Sequence, residues 1–312
     1  MATRTSSATI NYTLTNYAQG FANDLMKARE LANALMPTVQ VSGASGQYKI
    51  FDDANSFQTY ATLRGMGGAR RRIEFGATDG TFQCEPHSLE VTVDDHEREL
   101  AGSDAVSQQL LDQGKIKAVV SGASLSFTKR VVDFVSANTT AVSNRGNWSN
   151  ADVDPIDQID EQLQNLMTIT GGFMSPTVVL GLSAWRTLRN HPKTKARCSG
   201  VQVGGITLGQ LGGMFFVPAT PIVGMVSYNT AKPGNTVSKS QVLGDLCYIM
   251  ASVPNPTVYD PSPFKCFTTG AGGIESVRTY RDERSVSDVH AVDWNEDFVQ
   301  TSSASIIRLT IT

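Results

Sequence analysis

The chain is short of charge. Asp, Glu, Lys and Arg make up 18% of its 312 residues, against 40% hydrophobic ones, where a typical soluble domain carries about 25% charged residues. A surface so poor in charge points towards one that is covered on assembly. Excess charge of either sign is lacking too. The formal net charge is -3 with both signs interspersed, which leaves no broad positive field for phosphate or an anionic membrane and excludes a gene-regulating DNA binder. No apolar run approaches the ~18 residues that span a bilayer. Cysteine is scarce: Cys84, Cys198, Cys247 and Cys266 stand far apart with no CxxC pair, and no leader-like amino terminus is visible, so synthesis in a reducing cytosol is expected. The sequons at Asn11, Asn138 and Asn147 then read as coincidences. No fixed-period repeat occurs, which sets aside solenoids and propellers. What is present is length, about twice the ~150-residue domain prior, enough for one large or two interleaved domains.

Residues 1 to about 20 are rich in Thr, Ser, Asn and Ala and read as an extended arm. From 21 to 36, Phe21, Leu25, Met26, Leu31, Ala32 and Leu35 recur at helical spacing until Pro37, which predicts a short amphipathic helix. Val39–Val41 and Tyr48–Phe51 read as strands. Residues 52–80 hold Gly65, Gly67, Gly68, Gly76 and Gly80 around Arg70, Arg71 and Arg72, with few large apolar anchors. Leu89, Val91 and Val93 then alternate with Glu90, Thr92 and Asp94, as a half-buried strand does. Two strands on either side of a Gly-rich excursion predict an extended hairpin. An isolated hairpin is marginal in water, so a neighbouring subunit is the expected support.

Between Asp104 and Ala137 neither Pro nor a turn cluster interrupts the helical steps of Ile116, Val119, Val120, Ala123, Phe127, Val131, Phe134 and Val135. They predict a helix roughly 50 Å long at ~1.5 Å per residue, with Gly114 and Gly122 as places for a bend. Asp154-Pro155 starts a second helix, with Ile156, Ile159, Leu163, Leu166 and Met167 as its buried stripe and Gly171-Gly172 at its end. Pro176–Gly181 is a short apolar strand, and Ser183 is expected to cap a helix that stops at His191-Pro192. Strands are predicted at Met214–Val217, Val242–Val253, Glu275–Asp282, Val286–Trp294 and Ser305–Ile311. The fold class is α+β.

Chemical constellations are fragmentary, and no catalytic residue, cofactor or metal site is assigned. Gly181-Leu-Ser183-Ala-Trp185 has Trp where a nucleophile elbow needs Gly, so a helix cap outweighs a hydrolase. The Gly65 and Gly270 clusters lack GxGxxG spacing and read as turns. Cys84 and His87 have no second pair for a zinc tetrad. Asp152-x-Asp154 lacks the glycine and distal Glu of a calcium loop. Asp94, Asp95, His96 and Glu97 read as a helix cap facing solvent or a partner. The guanidiniums of Arg70, Arg71 and Arg72 suit carboxylates better than nucleic acid in this setting. The candidate inter-subunit contacts are therefore Arg70, Arg71, Arg72, Asp94, Asp95 and Glu97.

The order of these parts resembles the major capsid proteins of tailed bacteriophages, whose fold is named after coliphage Hong Kong 97. The likeness is carried by Gly46–Phe51 entering the arm, Leu89–Asp95 leaving it, the long helix that follows, and Val178–Pro192. It implies an N-arm at 1–40, an E-loop at 41–95, a peripheral domain with the spine helix at 96–153, an axial domain at 154–270, and carboxyl-terminal strands at 271–312 returning to the peripheral domain. It also implies hexamers and pentamers closing an icosahedral shell around double-stranded DNA, with no sequence-specific binding, no membrane and no enzymatic turnover. The expected location is the virion, after assembly in the host cytoplasm. Portal and decoration proteins are implied partners. A separate scaffolding protein is expected, because the chain begins almost at the arm. No covalent cross-link site carries over, Lys49 being the one lysine of the E-loop. The alternatives are an encapsulin-like compartment and another phage structural protein, of the tail or decoration.

Overall fold

The computed structural model describes residues 9–24, 26–51, 59, 62–68, 70, 77–172, 174–198, 206–232, 234–251, 253, 256–260, 262–270 and 274–312. A two-residue strand β1 (Thr9–Ile10) leads into helix α1 (Tyr12–Asp24). The extended arm expected for residues 1–20 thus gives way to a helix from Tyr12 onward. Its cause is local: Asn11 Oδ1 accepts from Leu14 N at 3.1 Å, an N-cap, and Leu14, Ala18 and Ala22, four residues apart, are all buried. The helix predicted for 21–36 is divided between α1 and α2 (Met26–Leu35), which buries Leu31, Ala32 and Leu35.

After β2 (Thr38–Gln40), strands β3 (Ser45–Phe51) and β4 (Ala77–Gln83) form a two-stranded antiparallel hairpin. The expected second leg, Leu89–Val93, instead belongs to β5 (Glu85–Asp94), which pairs with a body strand. The true leg is unobtrusive because Gly80 sits in it. Register explains the glycine: Gly80 lies opposite Tyr48 and Gly46 opposite Phe82, and each ring covers the space a Cβ would take. Such glycine–aromatic pairs hold a hairpin that β-propensity alone would not. Along β5 only Val93 of the predicted apolar face is buried; Val91 is half-buried and Leu89 exposed.

The corner helix α3 (Asp95–Ala101) precedes α4 (Ala105–Ala137). Helix α4 runs 33 residues without a break through Gly114 and Gly122 and is capped by Asp104, which accepts from Ser107 N. Helix α5 (Pro155–Thr170) has Asp154 as N-cap and the left-handed Gly171 as C-cap; Ile156, Ile159, Leu163 and Leu166 are fully buried. Then follow β6 (Pro176–Gly181), α6 (Leu182–Asn190), α7 (Pro192–Arg197) and α8 (Leu208–Met214). Gly181, not Ser183, is the N-cap of α6, and no side-chain cap bond forms there. The strand expected at Met214–Val217 is the end of α8 and an irregular turn. The remaining strands are β7 (Thr220–Gly224), β8 (Ser227–Asn229), β9 (Lys239–Gln241), β10 (Leu246–Ala251), β11 (Phe264–Thr268), β12 (Ser276–Asp282), β13 (Ser287–Gln300) and β14 (Ile306–Thr310).

Two larger sheets organise the body. One has the order β1-β12-β13-β11-β2, with β5 on the other side of β13; α1 and α2 pack along α4, which lies against it. The other has the order β14-β10-β6-β7. Alternate residues of β6 and β10 go to opposite cores. Val178, Leu180, Cys247 and Ile249 pack with α5; Val179, Tyr248 and Met250 pack with α2 and the end of α4. Both faces being covered, an unbroken apolar run is what β6 requires. The final strand, β14, belongs to this second sheet, whereas β12 and β13 return to the first.

Candidate functional site

At the corner where β5 becomes α3, Asp94 Oδ1 accepts from His96 N at 2.8 Å and caps the helix. Asp95 takes both terminal guanidinium nitrogens of Arg281, and Arg281 also reaches Asp288 at 3.3 Å. The bonds from Arg281 hold the Asp95 carboxyl below the usual carboxylate range. Glu97 pairs with Lys115 of α4 at 2.6 Å, and Arg98 bridges Asp112 at 3.0 Å and Asp288 at 3.1 Å. Asp94, Asp95 and Glu97 thus each have a partner within their own subunit. They lock α3 onto α4 and the sheet.

The arginine segment is placed differently. Residues 62–68 and Arg70 are exposed throughout, including the side chains of Leu63, Arg64 and Met66. A turn closes at Gly68 N to Gly65 O, 3.0 Å, with Gly67 at φ 75°. Arg71 and Arg72 lie outside the described residues. At the base of the hairpin, Tyr48 and Phe82 pack on Phe267, with ring centroids 5.8 and 4.3 Å away, and Lys49 pairs with Asp79 across the strands.

A groove not foreseen from sequence lies beside that base. It has a volume of about 530 Å³ and is lined by Glu85 and His87 of β5, Arg130, Asp133 and Phe134 of α4, and Glu296, Asp297 and Phe298 of β13. Glu296 is buried and ion-paired with Arg130; Arg130 Nη1 stands 3.2 Å from His87 Nε2. Burial first, then the charge of Arg130, lowers the His87 pKa; a guanidinium only donates, so His87 Nε2 is the acceptor of this contact. A signal was present in the sequence: Glu296 continues the inward alternation of Val292 and Trp294 along β13.

The remaining sequence candidates are separated. Cys84 turns its thiol to Phe267 O at 3.6 Å, away from the His87 contacts, and no group of three or more metal-ligating side chains occurs among the described residues. Ser183 Oγ donates to Gln241 Oε1 at 3.0 Å. His191 Nε2 faces Asn150 O at 3.1 Å, and its Nδ1 accepts from Lys193 N at 3.3 Å as the cap of α7. Both ring nitrogens are thus engaged with backbone, and neither bonds to Ser183. Asp154 caps α5 and pairs with Arg197 at 2.7 Å. Of the Gly270 cluster, residues 271–273 lie outside the described residues. Among the described residues no helix is long and apolar enough to cross a membrane.

No family model matches the chain. Two phage proteins named major capsid protein are similar in sequence. That of Burkholderia phage BcepMu is 27% identical over 58% of this chain and 57% of the relative; that of Pseudomonas phage JBD67 is 24% identical over 69% of this chain and 70% of the relative. The chain thus spans somewhat over half of the first relative's length. Among solved structures, a phage-related protein from Bordetella bronchiseptica superposes with a TM-score of 0.75 at 18% identity, over 97% of this chain and 98% of that one. A putative prophage capsid protein from E. coli gives 0.51 at 14% identity, over 98% and 100%. The SrpI encapsulin of Synechococcus elongatus gives 0.52 at 11% identity, over 90% and 86%. By fold the chain belongs to the α+β capsid architecture of the Hong Kong 97 type, and by sequence it is similar to phage major capsid proteins.

Proposed function

We propose that the chain is the major capsid subunit of a tailed phage, self-assembling through hexamers and pentamers into an icosahedral shell around double-stranded DNA. The observation that carries this reading is the hairpin β3–β4, anchored at its base by Tyr48 and Phe82, whose described tip residues are wholly exposed. A tip whose described residues are exposed on their own subunit gains order by lying on identical copies, and repeated contacts then supply stability that one subunit lacks. The names of the sequence relatives support the phage reading. In this assignment α4 is the spine of a peripheral domain, the four-stranded sheet with α5 the heart of an axial domain, and the hairpin β3–β4 the E-loop, whose expected range of 41–95 is shortened at its carboxyl end because β5 pairs with the body strand β13. The corner Asp94, Asp95 and Glu97 aims that loop, while Arg70, Arg71 and Arg72 work at contacts between subunits. Scaffolding, portal and decoration proteins are the further partners.

Near neutrality of charge suits a shell wall, since a strongly cationic lining would retain DNA. Negative-stain microscopy of the protein, expressed with the genes that neighbour its own, tests the proposal. Uniform polyhedral particles are expected, and a monodisperse monomer under all conditions would falsify it. Particles filled with protein cargo instead of DNA would shift the reading to an encapsulin-like compartment; tubes or isolated trimers would shift it to a tail or decoration component.

A further inference from the structure

The groove beside the hairpin base is chemically unbalanced. Four carboxylates, Glu85, Asp133, Glu296 and Asp297, line it against the single guanidinium of Arg130. Glu296 is satisfied by Arg130 on the floor, Asp297 accepts from Gln83 N at 2.8 Å, and Lys129 meets Asp133 from outside the groove. Glu85 and Asp133 remain exposed on the rim. The same lining holds the rings of Phe134 and Phe298, 5.8 Å apart and edge to face, with the guanidinium of Arg130 already 5.8 Å from the Phe298 centroid. Carboxylates beside aromatic faces form a receptor for guanidinium, which stacks flat on a ring while its N–H fork meets an anion.

The same chain offers the complementary piece. Residues 54–73 contain Arg64, Arg70, Arg71 and Arg72 and no acidic residue, and at the described tip Leu63, Arg64, Met66 and Arg70 stand free of their own body. We propose that the groove receives the arginine-bearing hairpin tip of a second copy, a guanidinium lying against Phe134 beside the Phe298 ring that Arg130 already covers, with its N–H groups on Glu85 and Asp133. Leu63 and Met66 cover the aromatic part of the lining. The inference rests on the shell-forming reading and adds to it the receptor site and its chemistry. It also explains why the groove is acidic in a chain with so little charge to spend.

A charge swap in the full chain tests it, under conditions where the wild type forms particles. R64E/R70E at the tip and, separately, E85R/D133R at the rim should each lower particle yield ~10-fold or more, the scale of one lost charge pair. The four changes together should restore it to within about threefold. All four positions are exposed, and an unchanged thermal midpoint of the unassembled subunit checks that folding is intact. Should the rim variant not fold, R70K particles treated with a zero-length carbodiimide carry the test alone. Coupling of residue 70 to Glu85 or Asp133 of another copy is expected. Normal yield from either charge reversal, no recovery in the combined variant, or coupling absent or only elsewhere overturns the groove assignment. If the wild type itself yields no particles, the shell reading fails instead.

Discussion

The hairpin β3–β4 and the helix α4 are both elongated elements, yet they keep their shape by different means. Helix α4 satisfies its backbone internally and buries Ile116, Val120, Phe127, Val131, Val132 and Val135 along its length, so it is anchored at almost every turn. The hairpin has two buried rings, Tyr48 and Phe82, both near its base; beyond them its ladder is a lone two-stranded ribbon. Lone ribbons are marginal in water. The contrast teaches that helix α4 is held by its own body along its length, whereas the described part of the hairpin is held by its body only near its base.

If the body is self-sufficient, the largest stability effects must come from it. Trp148, fully buried with its indole N–H on Gln158 Oε1 at 3.0 Å, ties the loop after α4 to α5. Replacing it by Ala should cost about 3–5 kcal/mol, seen as a lower midpoint in denaturant unfolding of the unassembled subunit. Next comes Lys265, fully buried on β11, which donates to Thr257 O at 2.8 Å and Asp260 O at 2.6 Å and pairs with Asp260 at 3.5 Å. The change Lys265→Met strands those oxygens and should cost about 3 kcal/mol, with faster proteolysis near Tyr259. A fall of under 1 kcal/mol in both variants would mean that the body, too, leans on assembly.

A smaller effect is expected at Asp154, where Asp154→Ala removes the cap of α5 and the Arg197 pair at a cost of about 1 kcal/mol. Burial pushes its carboxyl upward, but the Arg197 and backbone donors outweigh burial and leave the folded pKa below its ordinary value. A carboxylate depressed in this way contributes its full stabilisation above the unfolded pKa of about 3.9 and loses it as pH falls through the lower folded value. The thermal midpoint of the wild type should therefore drop more steeply than that of the variant when the pH is lowered from 5 to 3. Parallel curves would show that the cap contributes nothing by charge.

Much of the body was legible because its signals are local and redundant. Asp104, Asp154-Pro155 and Gly171 mark helix ends through backbone chemistry, and stripes such as Ile156, Ile159, Leu163 and Leu166 repeat often enough to survive one misread position. What escaped depends on partners distant in the chain. Gly80 reads as a turn until Tyr48 is known to lie across from it. Leu14 and Ala18 are too sparse to announce α1 without the α4 surface that buries them. Ser183 looked like a cap because serine often is one, but the extended Gly181 already fills that position. The groove was invisible because it joins Glu85, Arg130 and Glu296 from three separate segments. The carboxylates near Asp95 were legible as a cluster, but not the Arg281 that holds Asp95 from 186 residues away.

The smallest effect on the subunit should accompany the largest effect on assembly. Leu63 and Met66 are large hydrophobic side chains exposed almost completely, at 98% and 107%. Replacing both by Ser removes no intramolecular packing, so unfolding of the unassembled subunit should stay within about 0.5 kcal/mol of the wild type. Each side chain nevertheless forfeits roughly 1.5–3 kcal/mol of burial wherever it becomes covered, and the loss recurs at every copy of the contact. Particle yield should collapse while the melting curve of the subunit is unchanged, two readings taken from one preparation by microscopy and calorimetry. A variant that melts earlier would place the tip in the body's own core. One that melts normally and also closes normal shells would show that the arm's apolar residues have no covered state, and the division of labour between arm and helix would then have no physical basis.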